Sequence, residues 1–392
     1  MHPETIAIRS QAPRTGNREH SVPLYLTSSF VFDNAEQARA LFAEEIAGPV
    51  FSRFSNPNAD EFVEKLRLLE GAEDGIAVAS GMSAVYTALA SILAAGDHVV
   101  AGRAVFGSTH QLFTRLFPKW GIAHSYVDGD DPADWAALIQ PNTKAIFVET
   151  PSNPGLDLVD LEALGRLARE RGIPLIVDNC FATPVITRPI TLGASLVVHS
   201  ATKFIDGQGR VLGGAIVGNA KLVAEARFLA RHTGPALAPF NAWVLSKSLE
   251  TLSLRMEKHS SNALAVASAL EAHPSVEAVR YPHLPSHPQF ALADRQMRWG
   301  GGVLTLRLEG SDAARRFIDA LTLCSHSANL GDTRTIVTHP ASTTHSKLTE
   351  TERARVGISP GLVRVSVGLE HRDDVLADLT HALDAVRPAT RR

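Results

Sequence analysis

The order of apolar segments along this sequence predicts an α/β fold with a mostly parallel sheet flanked by helices. Between Gly75 and Val198, short apolar runs alternate with segments of helical periodicity. Each short run is continuously apolar, which is typical of strands that are buried on both faces of a parallel sheet. The regions before and after differ in pattern, so we expect an N-terminal arm over residues 1–60, an α/β domain over 61–245 and a smaller α+β domain over 246–392.

The central region contains the predicted strands and helices in alternation. Strands are predicted where glycine, proline or polar residues bound an apolar run, at residues 76–79, 98–101, 144–149, 174–177 and 195–198. Helices are predicted between them, at residues 82–95, 108–117 and 158–171. Residues 75–96 carry no charge and are long enough to span a bilayer, but Ser80, Gly81 and Thr87 interrupt them. We therefore interpret this stretch as a strand, a turn and a buried helix.

The two flanking regions have different patterns from the centre. Residues 1–60 contain several prolines and asparagines and few periodic segments, as expected of an arm that packs on a partner subunit. After about Trp243, a long helix at 241–272 precedes short strands at 303–308 and 362–367 and a final helix at 373–386. This order predicts the α+β domain.

Composition excludes several functional classes. Lys and Arg total 38 and Asp and Glu total 41, a net charge of −3, so no basic excess indicates binding to nucleic acid or to anionic lipid. The two cysteines, Cys180 and Cys324, are far apart and form no CxxC pair, which fits a reducing compartment. Because the N-terminus has charges where a signal peptide needs an apolar stretch, we expect a soluble, cytoplasmic protein.

Polar residues follow several predicted strands, at the sheet edge where parallel α/β folds bind ligands. They are Gly81 and Met82 at a helix N-terminus, Asn153 between two prolines, Asp178 after the fourth strand, and Ser200, Thr202 and Lys203 after the fifth. Taken singly, each has a simpler interpretation. Gly81 and Met82 would belong to an ordinary capped helix, and Asn153 would belong to a turn. Asp178 would be a structural cap or a metal ligand, and Lys203 would be a solvated lysine.

Taken together, these residues point to one cofactor. Hydroxyls and helix amides suit a phosphate, a buried carboxylate suits a cation, and a desolvated amine suits an electrophile. Pyridoxal 5'-phosphate (PLP) offers a phosphate, a pyridinium nitrogen and an aldehyde. We therefore predict that Lys203 bonds the aldehyde, that Asp178 holds the ring nitrogen, and that Ser200, Thr202 and the amides of Gly81 and Met82 hold the phosphate.

The stretch HSATKFIDGQGRVLGG, residues 199–214, resembles the lysine motif of the cysteine and methionine metabolism PLP enzymes, the γ-family of fold type I. Further segments that resemble this family occur in the family's order along nearly the whole chain: SRFSNPN (52–58), ASGMSA (79–84), VFGSTHQLF (105–113), ETPSNP (149–154), VDNCFATP (177–184), PFNAW (239–243) and VRVSVGLE (363–370). Within the family, the DGQGR turn resembles the O-succinylhomoserine sulfhydrylase branch, and residues 329–345 agree with the substrate-side loop.

The resemblance implies further site residues and an assembly. Arg53 would reach the phosphate bound by a neighbouring subunit, which makes a dimer the minimum catalytic unit and a homotetramer the expected assembly. Phe106 would stack on the cofactor ring, and Asn153 and Arg364 would bind the substrate carboxylate. Arg364 also has a physical case, because it alternates with valines in a predicted strand and its guanidinium suits a carboxylate.

Two positions depart from the patterns of the family. Many relatives have Tyr at position 51, and Phe51 lacks that hydroxyl, so one phosphate hydrogen bond of about 1 kcal/mol is missing. Lyases of the family have a Tyr at the position of Phe106, and that Tyr stacks on the cofactor ring. Phenylalanine at this position therefore favours the sulfhydrylase branch over a lyase.

The activity implied is that of a transferase of methionine biosynthesis. Sulfide would replace succinate on O-succinyl-L-homoserine and give L-homocysteine. Cystathionine γ-synthase and O-acetylhomoserine sulfhydrylase are the alternatives, and methionine γ-lyase is a weaker one. Outside the family, GQGRVLGG gives a weak dinucleotide-binding pattern, because it follows Lys203 instead of opening a βαβ unit, and His339 and His345 give a weak metal pattern. We predict no metal.

Overall fold

A computed structural model describes residues 1–129 and 131–386, and within these ranges the strands form two sheets. The larger sheet has seven strands in the order β1-β7-β6-β5-β4-β2-β3. Its strands are β1 (Asp74–Val78), β2 (His98–Gly102), β3 (Ala123–Val127), β4 (Thr143–Glu149), β5 (Leu175–Asp178), β6 (Leu196–Ser200) and β7 (Gly214–Gly218). Neighbours from β3 through β6 pair in parallel, whereas β7 lies antiparallel to both β1 and β6.

The mostly parallel sheet predicted from the sequence is thus confirmed, with β3 and β7 as additions. The segment of β7 reads GAIVG and is fully buried between two neighbouring strands. The apolar run inside it, residues 215–217, is only three residues long and gives little local signal for a strand, so pairing on both sides supplies its stability.

Helices pack on both faces of the large sheet. Two clusters of buried side chains lie on its faces: one includes Val177 and Val197, and the other includes Ile176 and Val198. The α-helices of the described ranges are α1 (Pro3–Arg9), α2 (Ala35–Phe42), α3 (Pro57–Glu70), α4 (Gly81–Ala90), α5 (Gly107–Gln111), α6 (Pro132–Leu138), α7 (Leu161–Arg171), α8 (Thr183–Ile186), α9 (Ala220–Thr233), α10 (Pro239–Leu249), α11 (Leu252–Glu271), α12 (Phe290–Gln296), α13 (Gly310–Asp319), α14 (Glu350–Arg355) and α15 (Arg372–Asp384).

Three predicted helices differ from the observed ones. The helix predicted at 82–95 is α4, which ends at Ala90, before the turn that leads to β2. The predicted helix 108–117 is the short α5 followed by a π-helical turn at Leu112–Leu116. The long helix predicted at 241–272 is divided into α10 and α11, with Glu250 and Thr251 between them.

The smaller sheet lies in the C-terminal part of the chain. Its strand order is β10-β11-β12-β9-β8, with β8 (Ala278–Arg280), β9 (Val303–Arg307), β10 (Ser325–His326), β11 (Ile336–Thr338) and β12 (Leu362–Ser366). The central strands β11, β12 and β9 pair antiparallel, and helices α11, α13 and α15 contribute to the same buried cluster. This matches the predicted α+β composition; the three domain boundaries remain predictions.

Within residues 1–129 and 131–386, no helix combines the length and the hydropathy needed to cross a bilayer.

Candidate active site

A cavity of about 240 Å³ lies at the carboxyl ends of β4, β5 and β6. Nine of the ten predicted site residues line it: Gly81, Met82, Phe106, Asn153, Asp178, Ser200, Thr202, Lys203 and Arg364. The tenth, Arg53, lines a different cavity beside α3 and α9. The fold therefore brings together residues that are separated by up to 283 positions in the sequence.

The N-terminus of α4 lies against the end of β6. Ser80 caps this helix by accepting a hydrogen bond from the backbone N–H of Ser83 at 3.1 Å. A Cβ atom at Gly81 would lie 2.5 Å from Cβ of Ser200, so only glycine permits this approach. The amides of the first helical turn have no partner within the helix, and the helix dipole favours an anion there. Together with Ser200 and Thr202, this end of α4 can hold a phosphate.

Lys203 lies in the turn that follows β6 and is partly buried. Its Nζ atom donates to Oδ1 of Asn329. Burial lowers the pKa of the Lys203 amine, an effect opposed by the nearby Cys180 thiol and reinforced by Arg364. Gly331, with φ +78°, lets the loop that contains Asn329 pass close to the backbone of Lys203. The lowered pKa favours the neutral form of the amine, which is the form that acts as a nucleophile or a base.

Asp178 ends β5, where it is paired in register with Glu149 of β4. Its Oδ1 accepts the backbone N–H of Cys180 at 3.0 Å. Burial raises the pKa of Asp178 to about 6, against the effects of the Cys180 amide and His199. A carboxylate in this position is stabilised when a cation binds beside it. Among the described residues, no group of three or more His, Cys, Asp or Glu side chains is arranged to hold a metal ion.

Arg364 comes from the smaller sheet and is 1% exposed. Its Nη1 donates to Oδ1 of Asn153 at 3.0 Å, and its Nη2 donates to the carbonyl oxygens of Ala328 and Asn329 at 3.2 and 3.0 Å. Burial lowers the pKa of Arg364 to about 10, which leaves it charged at neutral pH. A buried guanidinium with its amide partner can bind a carboxylate.

Five residues that carry functional groups at the site were not among the predicted site residues: Ser80, Glu149, Cys180, Asn329 and Thr344. Glu149 could have been found, because it ends a predicted strand in the same way as Asp178. Asn329 and Thr344 lie in the segment that resembles the family's substrate-side loop, but no local pattern distinguishes them from their neighbours.

Arg53 lies apart from this cavity within the single chain. Its guanidinium donates to the carbonyl oxygen of Arg231, and its Cζ atom lies 4.7 Å from the ring centre of Phe54 and 5.5 Å from that of Phe51. The Phe51 ring thus lies beside the guanidinium of Arg53. The role of Arg53 in a neighbouring subunit remains a prediction.

The residues of the cavity fit PLP in kind. An amine, a buried carboxylate, two hydroxyls and a helix N-terminus face one space, and Phe106 is beside them. The buried carboxylate has no ion-pair partner within the described ranges, which agrees with a cationic ring nitrogen as its partner.

Comparisons with known proteins agree with this interpretation. The sequence model of the Cys/Met metabolism PLP-dependent enzyme family matches residues 4–384. The chain is 48% identical over 384 residues to an O-succinylhomoserine sulfhydrylase from Pseudomonas aeruginosa, covering 98% of this chain and 95% of the relative. It is 46% identical to one from Mycobacterium tuberculosis, covering 97% and 95%.

Solved structures share the fold. A Campylobacter jejuni protein described as a putative O-acetylhomoserine (thiol)-lyase, which contains N'-pyridoxyl-lysine-5'-monophosphate, superposes with a TM-score of 0.95 at 35% identity, covering 98% of this chain and 100% of that one. The fold type I architecture and the PLP dependence expected from the sequence are confirmed. The chain belongs to the Cys/Met metabolism PLP-dependent enzyme family.

Proposed function

We propose that this chain is a PLP-dependent O-succinylhomoserine sulfhydrylase, which replaces the succinyl group of O-succinyl-L-homoserine by sulfide and releases L-homocysteine and succinate. The observation that carries the proposal is the shared cavity of the Lys203 amine and the Arg364–Asn153 pair, which suits an amino-acid substrate. The names of the relatives at 46–48% identity support this acyl ester and this nucleophile.

Each part of the cofactor has a corresponding group in the cavity. Ser200, Thr202 and the α4 N-terminus would hold the phosphate, Asp178 would keep the ring nitrogen protonated, and Phe106 would stack on the ring. When bound, PLP supplies a ring that accepts electrons from the substrate carbon next to the amine.

Lys203 would move the protons of the reaction. Burial lowers the pKa of its amine, which favours the neutral form that would take a proton from the substrate carbon and return one later. Asn329 accepts from the same amine and would orient it. Arg364 and Asn153 would hold the substrate carboxylate, so that the carbon to be deprotonated is presented to Lys203.

Product analysis with purified holoenzyme tests the function. We expect homocysteine from O-succinylhomoserine and sulfide, and loss of turnover in Lys203→Ala with unchanged folding. A Lys203→Ala variant with wild-type turnover would refute the role of Lys203.

The same assay distinguishes the alternative activities. Cystathionine from added cysteine would indicate a cystathionine γ-synthase, and preference for the acetyl ester would indicate an O-acetylhomoserine sulfhydrylase. Methanethiol from methionine would indicate a methionine γ-lyase.

The assembly and location proposed for the enzyme follow from the same family. We propose a homotetramer, built as a dimer of catalytic dimers, in which Arg53 of the 1–60 arm reaches the phosphate bound by a neighbouring subunit. Residues 61–245 would bind the cofactor, and residues 246–392 would contribute Arg364. We propose a cytoplasmic location, in agreement with two cysteines that form no disulfide.

A further inference from the structure

Two carboxyl groups lie side by side at the end of the large sheet. Glu149 is the last residue of β4 and Asp178 is the last residue of β5, and the two are partners in the register of these strands. Both line the candidate active-site cavity. In the described ranges, no lysine, arginine or histidine nitrogen lies within 4.0 Å of either carboxyl group. The pair therefore lacks a direct cation partner from these ranges.

Glu149 is fixed by backbone groups. Its Oε2 accepts the N–H of Phe106 at 2.7 Å, and its carboxyl group also interacts with the backbone N–H of Asn153. Its side chain is deeply buried, with the residue 6% exposed. Burial and the neighbouring Asp178 raise the pKa of Glu149 well above its ordinary value, although both backbone bonds and Arg364 act in the opposite direction.

Charged groups surround Glu149 on two sides. The titratable and charged groups of the active-site cavity are Asp178, Cys180, Lys203 and Arg364. Glu149 also lines a neighbouring cavity of about 440 Å³, whose charged groups are Arg103, Asp128, Asp157, Arg280 and Arg355.

Most of the arginines near Glu149 contact other groups. Arg364 donates to Asn153, Ala328 and Asn329. In the second cavity, Arg103 pairs with Asp128 and Arg280 pairs with Asp157. A charge on Glu149 would therefore add to that of Asp178 without a cation to balance both. Two adjacent buried carboxylates of this kind retain one proton between them.

We propose that Glu149 is a positioning residue that holds this proton: as a neutral acid it anchors Phe106 and leaves Asp178 as the one charged carboxylate that faces the cofactor. Asp178 is the more exposed of the two, whereas Glu149 is enclosed by backbone. The proposal rests on the proposed function, because a single ring cation can balance only one carboxylate.

The pH dependence of apoprotein stability tests the proton on Glu149 without cofactor or turnover. A group with a raised folded-state pKa stabilises the protein below its unfolded pKa, and this contribution is lost as pH rises through the folded pKa. Glutamine cannot titrate. Wild type should therefore lose stability relative to Glu149→Gln as pH rises above the ordinary glutamate pKa, by up to tenfold in the unfolding equilibrium constant per pH unit. A difference that does not change with pH, or that changes in the opposite direction, would overturn the proposal.

Cofactor affinity provides a second test. PLP titrations followed by visible absorbance should give Glu149→Gln a Kd within about threefold of wild type, because glutamine keeps the acceptor for Phe106 and the neutral charge. Glu149→Ala should bind at least about tenfold more weakly, because it removes the acceptor. Loss of affinity in Glu149→Gln equal to that in Glu149→Ala would overturn the proposal. A wild-type protein that binds no PLP would contradict the proposed function, while the stability comparison would still decide the proton on Glu149.

Discussion

Three residues of the site carry ionisable groups whose charged forms are disfavoured by burial. Burial lowers the pKa of Lys203 and of Arg364 and raises that of Asp178. In a folded core without function, such groups would be replaced or paired. Here they lie in one cavity, where a bound cofactor and substrate would supply partners for these groups. Perturbed groups that converge in this way are typical of catalytic sites.

Asp178→Asn should show the conflict between stability and function. Because the pKa of Asp178 in the folded chain is about 6, its stabilising contribution is present below about pH 4 and is lost as pH rises through about 6. At about pH 7.5 the asparagine apoprotein should be more stable than wild type by up to about 3 kcal/mol, and the difference should vanish near pH 4. Urea unfolding of the apoproteins measures this.

The same variant should lose at least about 100-fold in kcat, since asparagine cannot keep the ring nitrogen protonated. The amide oxygen of the introduced asparagine can still accept the N–H of Cys180, so that structural contact serves as an internal control. Equal stability of the two apoproteins at all pH values, or wild-type turnover in the variant, would contradict this role for Asp178.

At the scale of single elements, the approach of α4 to β6 forms the end of the cavity at which we propose that the phosphate binds. Ser200 and the first residue of α4 are in such close contact that a side chain at position 81 has no space. Gly214, on β7, is also enclosed, since a Cβ there would lie 2.1 Å from the carbonyl oxygen of Ser80. Two glycines on different elements thus bring the helix N-terminus to the strand end.

Gly81→Ala should separate these elements and weaken cofactor binding. The new methyl group must displace either α4 or Ser200, so we expect at least about a tenfold increase in the Kd for PLP, measured by equilibrium titration. Gly16→Ala is a matched control, because nothing lies within 4 Å of a Cβ at that position. Unchanged affinity in Gly81→Ala would show that this contact does not shape the phosphate site.

The sequence is sufficient to predict the site residues at the strand ends, and the reason is the geometry of a parallel sheet. Carboxyl ends of parallel strands meet at one edge, so Asp178 and Lys203 could be placed together from strand order alone. Asn329 could not be placed with them, because its contact with Lys203 depends on how the loop before β11 folds back on the large sheet. Likewise, β7 is stabilised by pairing with β1 and β6 and has little local signal. The predicted helix at 241–272 followed propensity through Thr251, where tertiary packing divides it.

Across the whole molecule, the two sheets complete one site between them. The loop that precedes β11 contacts the turn after Lys203: the N–H of Thr333 donates to the carbonyl oxygen of Gly207 at 2.8 Å, and Arg334 donates to that of Gln208 at 2.9 Å. This contact holds the smaller sheet, with Arg364, against the segment that contains Lys203. The DGQGR turn therefore links the two halves of the site.

Arg53 lies away from the candidate active site within one chain, and we expect it to act in the site of a neighbouring subunit. If it completes a neighbouring site, chains that lack Arg53 and chains that lack Lys203 should complement each other. In a mixed dimer of Arg53→Ala and Lys203→Ala, one of the two sites receives both an intact Lys203 and an intact Arg53. Co-expression of equal amounts, with random pairing, should then restore about a quarter of wild-type activity from two nearly inactive parents. Activity of the mixture equal to the mean of the separate variants would contradict a role of Arg53 across the interface, and equal dimer yields by analytical ultracentrifugation would exclude a simple loss of assembly.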